Sequence, residues 1–173
     1  SFVFARARPS RLTDLAGTIA AVNMPDSMSG MLALKLVFAP YAKAGRFFRG
    51  AVKTGSHVAS LQAVREGTAD VCAIDSVCVE LARRHRPDYL EGLVEIARSP
   101  SVPGLPYVTS AKTSPDLRQK LRVALAAALD DPALAEPRAA LLISGMSVLT
   151  PQDYQVIVGS EGDCEARGGL DLM

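Results

Sequence analysis

The chain has no tryptophan and carries only 4 tyrosines and 5 phenylalanines in 173 residues. A base-stacking platform or a broad aromatic sugar cleft needs more rings, so neither single-stranded nucleic acid nor a long glycan fits as a partner. An excess of one charge is also lacking. The 19 Lys and Arg nearly cancel the 18 Asp and Glu, leaving a formal net charge of +1, which offers no electrostatic footprint for nucleic acid or an anionic membrane. The three cysteines, Cys72, Cys78 and Cys164, cannot all pair, and none lies in a CxxC. Cys72, inside VCAID, reads as a small core residue. Two distant histidines, His57 and His85, are too few for a metal centre. HExxH, paired Cys or His spacings and a Walker loop are all missing, so neither a metal nor a cofactor is expected. The longest apolar runs, such as 31–39 with Lys35 inside, are too short to span a bilayer. The opening SFVFARAR shows no signal peptide, and a processed or truncated chain would read the same way.

What is present is 49% apolar and 21% charged residues, the profile of an ordinary globular protein. The length suffices for one domain or for one lobe of a larger protein.

Residues 2–7 and 18–23 read as strands, joined by a loop and one helical turn that Gly17 ends. Residues 23–30 (NMPDSMSG) form a polar loop before an apolar helix over 31–38 that Pro40 stops. A strand over 47–53 follows, then Ser56 as N-cap of a helix over 57–66 that stops at Gly67 and buries Val58, Leu61 and Val64–Arg65. Residues 71–74 are a fully apolar strand, 77–84 a helix capped by Asp75 or Ser76, and 93–97 another strand. This β-α-β-α-β-α-β order predicts a parallel sheet with helices on both faces. Beyond it, SPSVPGLPYVTS (99–110) is a Pro-rich extended crossing. Ser114-Pro115-Asp116 starts a helix to Asp130 with Leu117, Leu121, Ala124, Leu125 and Ala128 on one face. A second helix runs over 131–145 with Pro137 as its candidate break, and Thr150-Pro151 opens a third. The polar, Gly-rich tail SEGDCEARGGLDLM is expected to fray.

In an open parallel sheet, ligands bind where loops leave the carboxyl ends of the strands. Three polar loops stand there: Ser27–Gly30, Gly55–His57 and Asp75–Ser76. Each enters a helix N-terminus, whose free N–H groups and dipole favour an anion. Ser27, Ser29, Ser56 and His57 add hydroxyl and imidazole donors, which together describe a pocket for a tetrahedral oxyanion. Taken singly, each loop is an ordinary cap; the coincidence of three on successive βα units carries the binding reading. Asp75 would repel a fully ionised ligand, but it can accept a hydrogen bond from a protonated ligand oxygen or pair with an ammonium group. Its plainer role is a cap. His85, in the basic helix end ARRHRPDY, reads as structural, and Met24, Met28 and Met31 as core filler or an apolar wall beside the site. A catalytic Ser/His/Asp set from Ser29 or Ser56, His57 and Asp75 fits poorly, because adjacent Ser56 and His57 do not face each other and no GxSxG elbow exists. The residues favour binding over catalysis.

The succession LTDLAGTIAAVN, PDSMSGMLAL, TGSHVASLQAVREGTADVCAIDS and RSPSVPGLPYVTS resembles the phosphonate/phosphate-type (PhnD-like) periplasmic solute-binding proteins of ABC transporters. The resemblance implies an α/β, type II periplasmic-binding-protein fold: a parallel-rich sheet lobe with flanking helices, plus C-terminal helices of another lobe. On it, residues 1–10 are a crossing from the first lobe, 11–104 the second lobe, and 105–173 the return crossing and helices of the first lobe, most of which precedes Ser1. It further implies an exported, periplasmic protein that carries a small phosphonate- or phosphate-like solute to an ABC permease in the inner membrane. Ser27, Ser29, the amide of Gly30, Ser56 and His57 would hold the oxyanion, and Asp75 would read the ligand's other groups. Two positions depart from the family pattern. Met28 stands where a hydroxyl is common, and Leu105 where aminophosphonate binders carry Asp, which opens the site to phosphate, phosphite or another small oxyanion. The alternatives are a periplasmic sensory domain of the same fold and a hydrolase using Ser and His.

Overall fold

The computed structural model describes residues 1–166 and Leu172. It forms two compact units, one of Ser1–Val102 with Gln155–Met173, the other of Pro103–Tyr154.

The first unit is built on five strands, β1 (Phe2–Ala5), β2 (Ile19–Val22), β3 (Gly50–Lys53), β4 (Val71–Ile74) and β5 (Val94–Arg98), in the order β3-β2-β4-β1-β5. β2 pairs in parallel with β3 and β4, whereas β1 runs antiparallel to both β4 and β5. The parallel expectation therefore holds for the strands linked by helices. The reversed β1 between β4 and β5 was not foreseen, since alternation has the same period in either direction and no crossover helix ties β1 to β2. β1 is thus an integral strand as well as a chain entry.

Alternation sorts the strand residues onto two faces. Val3, Ala20, Val22, Val71 and Ala73 enter one cluster with α1 (Ala33–Phe38) and Cys164 of α6 (Gln155–Ala166). Phe4, Ala21, Cys72 and Ile74 enter the other with α2 (His57–Glu66) and Val79 of α3 (Ser76–His85). Helices on both faces are as expected. The scarce aromatics are concentrated: Phe38, Phe47 and Phe48 pack with centroids 4.9–5.0 Å apart. Phe47 and Phe48 precede β3 instead of beginning it, and both are buried. The inward stripe of α2 is Ser60, Leu61, Ala63 and Val64; Leu61 and Val64 are buried as expected, whereas Val58 and Arg65 are exposed, so the helix is rotated towards Ser60 and Ala63. Gly67 ends it in the left-handed region (φ +82).

Arg6 fastens this unit. Its Nη1 donates to the carbonyls of Val64 (2.6 Å) and Ala69 (2.8 Å), and its Nη2 meets Asp70 Oδ1 at 3.0 Å. Asp70 Oδ2 accepts the N–H of Ile19 at 2.9 Å, joining β1, the end of α2, the entry to β4 and the start of β2.

In the second unit, residues 103–114 are irregular before α4 (Pro115–Asp130), which Ser114 caps by accepting from the N–H of Leu117 at 3.3 Å. Leu117, Leu121 and Leu125 of its apolar face are at least 38% exposed. A 3-10 turn (Pro132–Leu134) leads into α5 (Ala135–Ala140). The expected break at Pro137 does not occur, because Pro137 falls in the first turn of α5, where a missing N–H costs little. The helix instead stops at Ala140, short of the expected 145. Ile143 N–H reaches the Arg138 carbonyl (2.9 Å) and Leu142 N–H the Ala139 carbonyl (3.2 Å), a Schellman closure with Leu142 at φ +61.

The expectation grouped 105–173 together, whereas α6 lies in the sheet unit, where Cys164 is 5% exposed. Ser160–Ala166 continue α6 instead of fraying; the rest of the tail, apart from Leu172, lies outside the described residues.

Candidate functional site

Because β3, β2 and β4 are neighbours and parallel, their carboxyl ends Lys53, Val22 and Ile74 stand side by side at one sheet edge. Each is followed by a helix start.

After β2, Ser27 is the N-cap, its Oγ accepting from the N–H of Gly30 at 3.0 Å. The helix opens as a π turn over Met28–Leu32, with the Leu32 N–H reaching back five residues to the Ser27 carbonyl (3.0 Å), and becomes α-helical at Ala33. The sequence put Ser29 and Gly30 in a loop and the start at Met31; both residues lie inside the first turn. A π start leaves five leading N–H groups without a ladder partner where an α start leaves four. Gly30 is buried and packed by Asn23. A Cβ on residue 30 would overlap Asn23 Oδ1, with Asn23 Cγ at 2.9 Å and Ser27 Oγ at 3.1 Å.

After β3, the N–H of Thr54 donates to the Val22 carbonyl (2.8 Å) and that of Gly55 to the Asn23 carbonyl (2.9 Å), stitching this loop to the first. Thr54 Oγ1 lies 2.6 Å from Oγ of Ser60, which is 1% exposed. Gly55, at φ +86, makes the turn that Ser56 needs in order to cap α2, its Oγ accepting from Ala59 N–H at 3.1 Å. His57 begins the helix, and its Nε2 lies 3.0 Å from Ser29 Oγ. Its Nδ1 is buried and makes no hydrogen bond of sound geometry, although the Ala73 backbone acts on the ring. Burial pushes the His57 pKa below 6.5, while the Asp75 charge and the Ala73 backbone pull the other way.

After β4, Asp75 caps α3, its Oδ1 accepting from the N–H groups of Val77 (2.8 Å) and Cys78 (3.2 Å). Ser76, the other candidate cap, is the first helical residue. The Asp75 charge is felt at Cys78 as well as at His57, so the third loop opens onto the same edge.

The structure thus gathers the three loops. Ser29 and His57 touch, Ser27 and Gly30 are bonded to each other, Ser56 caps the His57 helix, and Asp75 flanks them. Capping uses an acceptor lone pair, so the hydroxyl protons of Ser27 and Ser56 stay available to donate. A catalytic triad is not assembled: Asp75 Oδ1 is committed to α3, and His57 Nδ1 lacks the carboxylate that would orient it. Asn23, Thr54 and Ser60 escaped sequence reasoning; the polar step TGS beside an apolar run was the only signal for Thr54.

Met31 is core at 5% exposure, whereas Met24 is exposed and Met28 half-buried. His85 lies exposed in the last turn of α3 beside Arg83 and Arg84. Leu105, in the second unit, is 90% exposed. Cys72 is in the core, its thiol pushed up to about 12 by burial. Among the described residues no group of His, Cys, Asp and Glu could hold a metal ion.

Comparison with known proteins adds a family. The model for the periplasmic substrate-binding protein of phosphonate ABC transporters matches residues 2–154. No curated protein matches the chain in sequence. Among solved structures, it is similar to a binding protein component of an ABC phosphonate transporter from Pseudomonas aeruginosa, at 22% identity and a TM-score of 0.76 over 96% of this chain and 57% of that one. It is also similar to PhnD1 of Prochlorococcus marinus in complex with methylphosphonate, at 13% identity and 0.72 over 95% and 66%. A Xanthomonas citri protein bound to ATP matches at 19% and 0.69 over 96% and 66%. At such identities the likeness shows the fold, and the chain spans 57–66% of the length of these structures.

Proposed function

The chain belongs to the family of periplasmic substrate-binding proteins of phosphonate ABC transporters, and from that premise we propose that it captures a small phosphonate- or phosphate-like oxyanion at the three helix starts. The observation that carries this reading is the Ser29–His57 contact at 3.0 Å, which draws donors from two βα units to one point. An anion there would meet the hydroxyls of Ser27 and Ser56, the one proton that the Ser29–His57 pair does not spend on its own contact, and leading N–H groups of the π turn other than that of Gly30, which Ser27 Oγ takes. Binding, not turnover, is the function: neutral His57 with an unpaired Nδ1 is a donor held ready, not an oriented base.

On this reading residues 11–104 supply one wall of the ligand site in a two-lobed protein, and the helices of 105–154 belong with the other lobe. The assembled protein works in the periplasm and delivers its ligand to an ABC permease in the inner membrane. No described helix is long and apolar enough to cross a membrane, which accords with a separate permease doing so.

The test is calorimetric titration of the full-length protein with methylphosphonate, phosphate and phosphite. Wild type should bind at least one, and Ser29→Ala and His57→Ala should each weaken it at least tenfold. Binding to none, or binding untouched by both substitutions, overturns the assignment.

A further inference from the structure

We infer that Asp75 makes the site selective for an oxyanion that still carries a proton, such as a singly protonated phosphate or phosphonate, and against a fully ionised one such as sulfate. The inference rests on the oxyanion reading of the site and adds the protonation state of what enters.

The geometry is that of an acceptor set among donors. The Ser29–His57 pair, with one proton to spare, and the helix starts can donate to an anion, whereas Asp75 presents a carboxylate at the same edge. One of its oxygens is fixed, since Oδ1 takes the N–H groups of Val77 (2.8 Å) and Cys78 (3.2 Å). Those bonds hold the plane of the carboxylate, leaving Oδ2 as an acceptor that cannot turn away without uncapping α3. Two further polar atoms at this edge are buried and unpaired, Asn23 Oδ1 and His57 Nδ1. Among the described residues no lysine or arginine makes an ion pair with Asp75; a cation that feels its charge is the Ser1 ammonium.

A ligand oxygen bearing hydrogen converts this repulsion into a hydrogen bond to Oδ2. Sulfate carries no proton at neutral pH and keeps the repulsion, besides leaving the half-buried Oδ2 without a donor. Phosphate and alkylphosphonates exist partly as singly protonated anions and satisfy both sides. The discrimination is therefore by hydrogen count, because the tetrahedral anions are close in size and shape.

The experiment compares full-length wild type with Asp75→Asn against phosphate, methylphosphonate and sulfate by calorimetry at neutral pH. Asn caps a helix as well as Asp does, so α3 is kept, and the wild-type comparison needs no variant. Wild type should prefer the better of phosphate and methylphosphonate over sulfate by at least tenfold, and Asp75→Asn should lose most of that preference by gaining sulfate. Wild type binding sulfate as tightly as the others, or a preference unchanged in Asp75→Asn, overturns the inference while the oxyanion reading stands. Failure of all three anions to bind wild type removes both.

Discussion

Gly30→Ala probes whether the first helix start is built as described. Gly30 lies in the π turn without a positive φ, so the substitution is not opposed by backbone strain; by propensity alone Ala would gain about 1 kcal/mol over Gly in a helix. Opposing this, the added methyl overlaps Asn23 Oδ1 and sits 2.9 Å from Asn23 Cγ. A χ2 turn of Asn23 moves Oδ1 but not Cγ, so the whole side chain must leave its place between the first two loops. Overpacking of this kind costs about 1–3 kcal/mol. A net loss of up to about 2 kcal/mol remains, which for a protein of this size lowers the melting temperature by up to about 8 °C.

The assay is urea denaturation of four proteins: wild type, Gly30→Ala, Asn23→Ala and the double variant. Removing the Asn23 amide makes room for the methyl, so the double variant should be more stable than the sum of the singles by about 1 kcal/mol or more. Additive effects, or a Gly30→Ala protein at least as stable as wild type, would refute the packing of Asn23 into the place of a residue-30 side chain.

Other perturbations separate the remaining parts. His57, held below 6.5 by burial, stays neutral in the fold while the unfolded chain protonates. Stability should therefore be full above pH 6.5 and fall as pH drops from there through the folded-state value, and His57→Gln should flatten that slope in melts taken across pH 5–8. Arg6→Lys should cost about 1–3 kcal/mol in denaturation, because an ammonium cannot reach the Val64 and Ala69 carbonyls and Asp70 together. The loss should persist at high salt, since the ion pair, with side chains 41% and 30% exposed, is the smaller part. Ser56→Ala should lose about 1 kcal/mol with the cap. Ser56→Asp should keep the stability yet weaken oxyanion binding by placing a second carboxylate at the mouth, so equal binding by Ser56→Asp would remove Ser56 from the site.

The legible parts of this fold were those in which one short segment carries the cause. Ser56 before His57–Glu66 and Gly67 after it, Ser114-Pro115 before a helix to Asp130, and the unbroken apolar run of β4 each hold their own start, stop or burial signal. What was hidden depends on distant partners. The direction of β1 is set by its neighbours β4 and β5; the rotation of α2 by which side chains the second face of the sheet accepts; the early end of α5 by a Schellman closure that uses leucine where glycine is the usual sign. The π turn at Met28–Leu32 was equally invisible: Gly30 within it packs against Asn23, a contact that no local pattern marks.

The same division sorts the candidate site. Ser27, Ser56 and Asp75 were read from local capping patterns, and the fold does use each of them as a cap, so their presence alone says nothing of a ligand. Ser29 and His57 are different: neither caps a helix, and their contact spans 28 positions in sequence. A protein needing only to start two helices would gain nothing by half-burying an imidazole with one nitrogen unpaired, a loss of hydration that the Ser29 hydroxyl offsets on one side only. That uncompensated cost is the part of the edge folding does not explain, and a ligand that accepts the proton the Ser29–His57 pair leaves free while donating to Asp75 would.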